Sequence, residues 1–230
     1  LSVIYKKRSF TGIDKHYYQS ISTYCHPNNS TKSGYPYVIK DGIKNPFLRD
    51  YDFYNLLELS SRLSYLSVAF YLTNETQYSE KAVELLNIWF ICPQTYMYPN
   101  FNYTQVVPSN NKIKGNSYGV IDMYWLIPII NSIQLLKLSQ GIKKETYILL
   151  QNWFSQLLQW SQTSEIGIKG SKLSNNIGSA FDVTIASIAH FVGQTHIAKK
   201  ILYNFKQRRI DQQIQINGAQ PKELARTNSI

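Results

Sequence analysis

Four histidines, His16, His26, His190 and His196, are the side chains of this sequence with an ordinary pKa near neutrality, and so the first candidates for moving a proton. His190 and His196 fall within helical stretches and read as structural or exposed, and His26 sits in a loop. His16 lies between Lys15 and a pair of tyrosines. A glycoside hydrolase would instead need two carboxylates across a cleft, for which Asp14, Asp41 and Asp182 are available. No metal-ligand spacing or Gly-rich phosphate loop occurs, so no metal and no cofactor is expected. Cys25 and Cys92 could pair or stay free. Sequons at Asn28, Asn29, Asn74 and Asn102 would matter only in a eukaryotic secretory pathway.

Lys and Arg total 24 against 14 Asp and Glu, a formal charge of +10, which favours an anionic partner. The basic residues are scattered, and the densest cluster, Lys206, Arg208 and Arg209, is short. That is not the footprint of a nucleic-acid binder. The 18 Tyr, 10 Phe and 4 Trp offer flat faces that suit sugar rings as well as cores. A membrane surface and an acidic polysaccharide remain as anionic partners. The apolar runs fall short of the roughly 20 residues a membrane span needs.

The elements that must hold these side chains are helices. Leu56, Leu59, Leu63, Leu66 and Phe70 recur at spacings of three and four, which marks one helix face. The polar run 73–76 ends that helix. A second face carries Ala82, Leu85, Leu86, Trp89 and Phe90. A third helix is predicted from Gly119 to Ser139, kinked at Pro128. Leu150, Trp153, Phe154, Leu157 and Leu158 mark a fourth, and Phe181, Ile185, Ile188, Ala189 and Val192 a fifth. Gly193 stops the fifth, and Thr195 reads as the N-cap of a sixth. The only strand candidates lie near Tyr35–Ile39 and Gln213–Ile216. Loops 22–49, 93–118 and 165–178 are predicted to share a rim, where binding residues concentrate. With no linker in the chain, residues 1–230 read as a single domain. The start at Leu1 and the abrupt end read as a segment of a longer protein that lacks its C-terminal end.

Four stretches resemble the alginate lyase family. Gly12-Ile13-Asp14-Lys15-His16-Tyr17-Tyr18, with Tyr24, Pro27, Gly34-Tyr35-Pro36-Tyr37, Asp41-Gly42 and Asn45-Pro46, is similar to the family's N-terminal pattern. Trp89-Phe90, Met97-Tyr98-Pro99-Asn100-Phe101-Asn102-Tyr103-Thr104-Gln105 and Gly119-Val120-Ile121-Asp122 resemble W-F, M-N-P-N-x-x-Y-x-Q and G-I-I-D. Ser174-Asn175-Asn176-Ile177-Gly178-Ser179 with Asp182 resembles S-N-N-H-G-x-x-x-D. Asn217-Gly218, Gln220-Pro221 and Glu223-Leu224-Ala225-Arg226-Thr227 resemble D-G-x-Q-P-x-E-L-x-R-T. The four run in the family's order across nearly the whole chain. They imply an all-α fold, an incomplete α/α toroid of paired antiparallel helices around a cleft.

The resemblance implies β-elimination on a uronate polysaccharide such as alginate, so an acidic polysaccharide is the expected partner of a monomer, with no nucleic acid and no membrane. A proton leaves C5 and the C4–oxygen bond breaks, so donors must stabilise the charge that develops on the carboxylate. Asn176 and Arg226 fall on the family's positions for this role, an amide and a planar guanidinium. Lys15, His16, Tyr18, Asn100, Tyr103 and Gln105 are the expected substrate contacts. The family's histidine after that asparagine is here Ile177, which cannot exchange a proton, and its later tyrosine would lie beyond Ile230. Tyr24-Cys25-His26-Pro27 also stands where Y-W-W-P is usual. Two expectations follow: a lyase that uses a tyrosine or His16, or a relative without catalysis that binds acidic glycans. Either would be secreted or otherwise extracytoplasmic, its signal peptide outside this segment.

Overall fold

The computed structural model describes residues 2–6, 8–108 and 113–225. An N-terminal arm carries three short strands, β1 (Gln19–Ile21), β2 (Cys25–His26) and β3 (Val38–Ile39). Helices α1 (Asp52–Thr73) and α2 (Thr76–Leu86) follow, then β4 (Tyr103–Val106), α3 (Leu126–Leu138), α4 (Lys144–Thr163), α5 (Glu165–Ser171), α6 (Asn176–Phe191) and α7 (Thr195–Phe205). The chain is all-α in the paired-helix manner of an incomplete toroid: α1 packs on α2 and α3, and α6 on α7 and α4.

Helix α1 buries Leu56, Leu59, Leu63 and Phe70, the face its spacing predicts. Asn74, in the left-handed region at φ 57°, ends it by donating its backbone N–H to the Phe70 carbonyl. Helix α2 widens into a π turn over Asn87–Ile91, so that the Cys92 N–H reaches the Asn87 carbonyl five residues back at 2.8 Å. Such turns recur near functional sites, and this one seats Trp89 and Phe90 in the core.

Several expectations are corrected. Pro128 makes no kink: Ser117–Trp125 is a 3-10 stretch, and Pro128 lies in the first turn of α3, where its missing N–H is not needed. The whole segment Ser117–Leu138, 22 residues, is long and apolar enough to cross a membrane by length and composition. Its apolarity has a use inside the protein, since Val120, Met123, Leu126, Ile129, Ile133 and Leu136 are fully buried in the core. Gln194, not Thr195, is the N-cap of α7, and loop 165–178 contains α5. Of the two strand candidates only Val38–Ile39 pairs, antiparallel with Cys25–His26. Gln213 ends a helical turn. Strand β1 pairs in parallel with β4, which no alternation in sequence announces, because β1 is buried at all three positions. Both cysteines are free.

The arm is anchored below by a buried ion pair, Lys6 Nζ to Asp52 Oδ2 at 3.0 Å, with both side chains fully enclosed. Asp52 also accepts the Gln19 backbone N–H at 2.8 Å. Burial pushes the Asp52 carboxyl up to about 7 against the pull of Lys6. Its folded-state value therefore exceeds the ordinary 3.8, and the stability it allows is lost as pH rises through that window. Lys6→Met removes the opposing pull and strands the carboxylate. A loss of roughly 3–5 kcal/mol is expected, larger at about pH 8 than at about pH 5. Urea denaturation of both proteins at the two pH values checks it.

Candidate active site

The arm brings His16 beneath a cluster of tyrosines. The His16 ring stacks on Tyr98 at 5.2 Å and 28°, and its Nδ1 lies 2.5 Å from the Tyr96 carbonyl oxygen. Tyr17 meets Tyr98 and Tyr103 edge-on, at 4.9 and 5.0 Å. Asp14 fixes the cluster: it accepts the Tyr98 hydroxyl at 3.0 Å and the His16 backbone N–H at 2.8 Å. That backbone hydrogen bond is the main reason its carboxyl sits below the ordinary range. Beside the cluster opens a cavity of about 540 Å³, walled by Tyr17, Tyr96, Tyr98 and Asn100 and closed by Asn152 and Gln156 of α4. Lys15 is exposed, and its carbonyl accepts Lys6 Nζ at 2.8 Å.

A second node lies under the first. Asp122 is fully enclosed and receives Tyr18 Oη at 3.0 Å, Ser20 Oγ at 2.7 Å, Thr104 Oγ1 at 3.1 Å and Gln105 Nε2 at 2.9 Å. Burial raises its carboxyl above the usual value, and the four donors pull it back. Tyr18 is 0% exposed, so the expected substrate contact is corrected: the ring is a core group against Phe101. Gln105 keeps part of its surface, but its amide N–H is given to Asp122 and its backbone is held at φ 43°.

Asn176 is the first residue of α6 and is exposed. Its backbone N–H is held by the Glu223 carboxylate. The preceding Asn175 is the N-cap, its side chain accepting the Ile177 N–H at 3.2 Å. Ile177 turns the other way, 6% exposed within the core. The turn leading to Asn176 is held from behind by Arg209. Its Nε meets Asp182 Oδ2 at 2.6 Å, its Nη2 the Ser171 carbonyl at 3.0 Å and its Nη1 the Leu173 carbonyl.

Lys15, His16, Asn100 and Tyr103 thus gather at the tyrosine cluster, Tyr18 and Gln105 at the Asp122 node beneath, and Asn176 on a separate element. Arg226 lies outside the described residues. The hydrolase candidates are committed elsewhere: Asp182 to Arg209, Asp14 to Tyr98 and His16, and Asp41 to its neighbour's N–H at 3.1 Å. Among the described residues no three His, Cys, Asp or Glu side chains are placed to hold a metal ion. The sequon at Asn102 is engaged, its side-chain oxygen accepting Trp160 Nε1 at 2.8 Å. Sequence reasoning passed over Tyr96, Tyr98, Asn152 and Gln156. The i, i+4 amides of α4 were the available signal, a polar pair flanking the buried Trp153.

Among curated proteins none matches. A solved structure of an alginate lyase from Bacteroides ovatus superposes with a TM-score of 0.93 at 35% identity. The match covers 98% of this chain and 59% of that one, so the chain spans little more than half the length of that protein. The family model for alginate lyase matches residues 5–230. With its ordered motifs, its paired helices and a match over almost its whole length, this chain belongs to the alginate lyase family.

Proposed function

We propose that the protein is a polysaccharide lyase that cleaves a uronate polymer such as alginate by β-elimination, outside the cytoplasm. One observation carries the reading: Asn176 stands exposed at the amino end of the 16-residue α6. Its place in the motif assigns its side-chain amide to the uronate carboxylate, while its backbone N–H is held by Glu223. A uronate carboxylate placed against that amide gains charge as C5 loses its proton, and donors aimed at that charge lower the barrier. Arg226, by its place in the motif, supplies the second donor to the carboxylate. The C5 proton passes to a base, the electron pair forms the C4–C5 double bond, and the C4–oxygen bond breaks. The leaving oxygen takes a proton and becomes a new hydroxyl. His16 or a tyrosine of the cluster supplies the proton transfers, because Ile177 can supply none.

The second reading, an acidic-glycan binder without chemistry, draws on that same residue. Ile177 is packed into the core, so restoring the family's histidine there would bury an imidazole. Ile177→His is expected to cost roughly 1–3 kcal/mol of stability. It should bring no rate gain of the ~10²-fold or greater that a working acid–base group provides. Denaturation alongside the rate assay checks both halves. The two readings are separated by following the ultraviolet absorbance of the unsaturated uronate product on a panel of polyuronates, with Arg226→Ala as control. A rise that the control abolishes supports the lyase. Salt-sensitive binding with no rise supports the binder.

A further inference from the structure

The cavity beside the tyrosine cluster differs in character from the protein around it. The protein carries a net charge of +10, yet the cavity is walled by Tyr17, Tyr96, Tyr98, Asn100, Asn152 and Gln156, with no cationic side chain in its lining. The exposed carboxylate of Asp14 stands against one wall, bonded to the Tyr98 hydroxyl. Among the lining side chains a uronate carboxylate would find no cation, and at the Tyr98 wall it would face the like charge of Asp14, which disfavours it. What the walls do offer suits an uncharged sugar. The tyrosine rings give flat apolar faces for a pyranose ring. Asn152 and Gln156 lie one helical turn apart on α4, both exposed, and neither side chain makes a hydrogen bond to another described residue. Their amides are open to the hydroxyls of a ligand, as donors and as acceptors. A volume of about 540 Å³ is in the range of small-ligand sites.

We propose that this cavity is a subsite for a neutral glycosyl unit, which narrows the substrate from a pure polyuronate such as alginate to a uronate polysaccharide that also carries uncharged sugars. The proposal rests on the reading of the protein as acting on a glycan, and its test is separable from the test of that reading. Calorimetry with neutral hexasaccharides built on glucose, mannose, galactose and xylose, beside an oligomannuronate of equal length, measures the subsite directly. At least one neutral probe is expected to bind with an affinity that does not change with salt, because no ion pair is involved. Tyr98→Ala and the double variant Asn152→Ala/Gln156→Ala should each weaken it by about tenfold or more, while Asn176→Ala leaves it unchanged. Neither the Asn152 nor the Gln156 side chain bonds to another described residue, so their variants should melt with the parent, which removes misfolding as a cause. Failure of all four neutral probes to bind overturns the proposal, as does a double variant that weakens the oligomannuronate and the neutral probe alike. Loss of elimination in Asn176→Ala with intact neutral-probe binding would leave the subsite standing whatever the fate of the lyase reading.

Discussion

Replacing Arg209 by methionine should destabilise the protein by about 3 kcal/mol and slow any elimination it catalyses. Arg209 and Asp182 are each 4% exposed at the side chain, and the pair is closed at 2.6 Å. Removing one member of a buried pair leaves the other charge uncompensated, at a typical cost of ~3–5 kcal/mol. The lower end applies here because Arg208, at 3.6 Å and 41% exposed, still reaches Asp182. The Leu173 and Ser171 carbonyls lose donors in the same step. These carbonyls belong to the turn that delivers Asn176, so the damage passes to the proposed site. A displacement of ~1 Å at a reacting group is worth on the order of 10²-fold in rate. Chemical denaturation gives the first number, and the absorbance assay at a temperature where the variant is folded gives the second. Arg209→Lys should recover little, since an ammonium cannot span a carboxylate and two carbonyls as the planar fork does. A denaturation midpoint within about 0.5 kcal/mol of the parent would show that the clamp is incidental.

Asn176→Ala should remove elimination almost entirely while sparing the fold. Asn176 is exposed at the first helical position, its backbone N–H keeps Glu223 in the variant, and the capping role belongs to Asn175. Losing a preformed donor at a developing oxyanion costs about 10²–10³-fold in kcat. The effect should appear in kcat more than in KM, since the bond strengthens only as charge develops. Asn175→Ala is the contrasting control. It loses the cap, with roughly 1 kcal/mol of stability, and its rate loss should be recovered on cooling. If Asn176→Ala raises KM and leaves kcat alone, the residue binds the ground state only, and the base and the carboxylate donors must be sought elsewhere.

The helical stripes of α1, α2, α4 and α6 were legible because each buries one continuous face, and burial is what the periodicity of apolar residues encodes. The site was legible in part. Asn176 and His16 lie in motifs and at exposed or half-exposed places, but Tyr18 reads identically to a ligand-facing tyrosine until Asp122 is found enclosed 104 positions later. Arg209 sits in the most basic stretch of the sequence and reads as a solvated cation. Only the partner carboxylate on α6 takes it inside. Ile177 shows the same limit from the other direction. Its type rules out proton transfer, while the direction it faces comes from the cap at Asn175, which fixes the phase of the helix.

The arm's attachments have a consequence for the order in which this protein assembles during synthesis. His16 is held by Tyr96, 80 positions on, and Tyr18 and Ser20 by Asp122, 104 and 102 positions on. Strand β1 waits for β4 in the same way. Contacts of such separation close only after the intervening chain exists and has lost the entropy of its loop. On the ribosome α1 and α2 can pair, and Asp52 can take Lys6 and Gln19, while the rest of the arm still lacks its later partners. Its tyrosines and its strand edge then stay open to other chains, the surface on which a nascent chain misassociates or a chaperone takes hold. The tyrosines of the arm are made before Tyr96 and Asp122 and take their final places only after residue 122 has emerged.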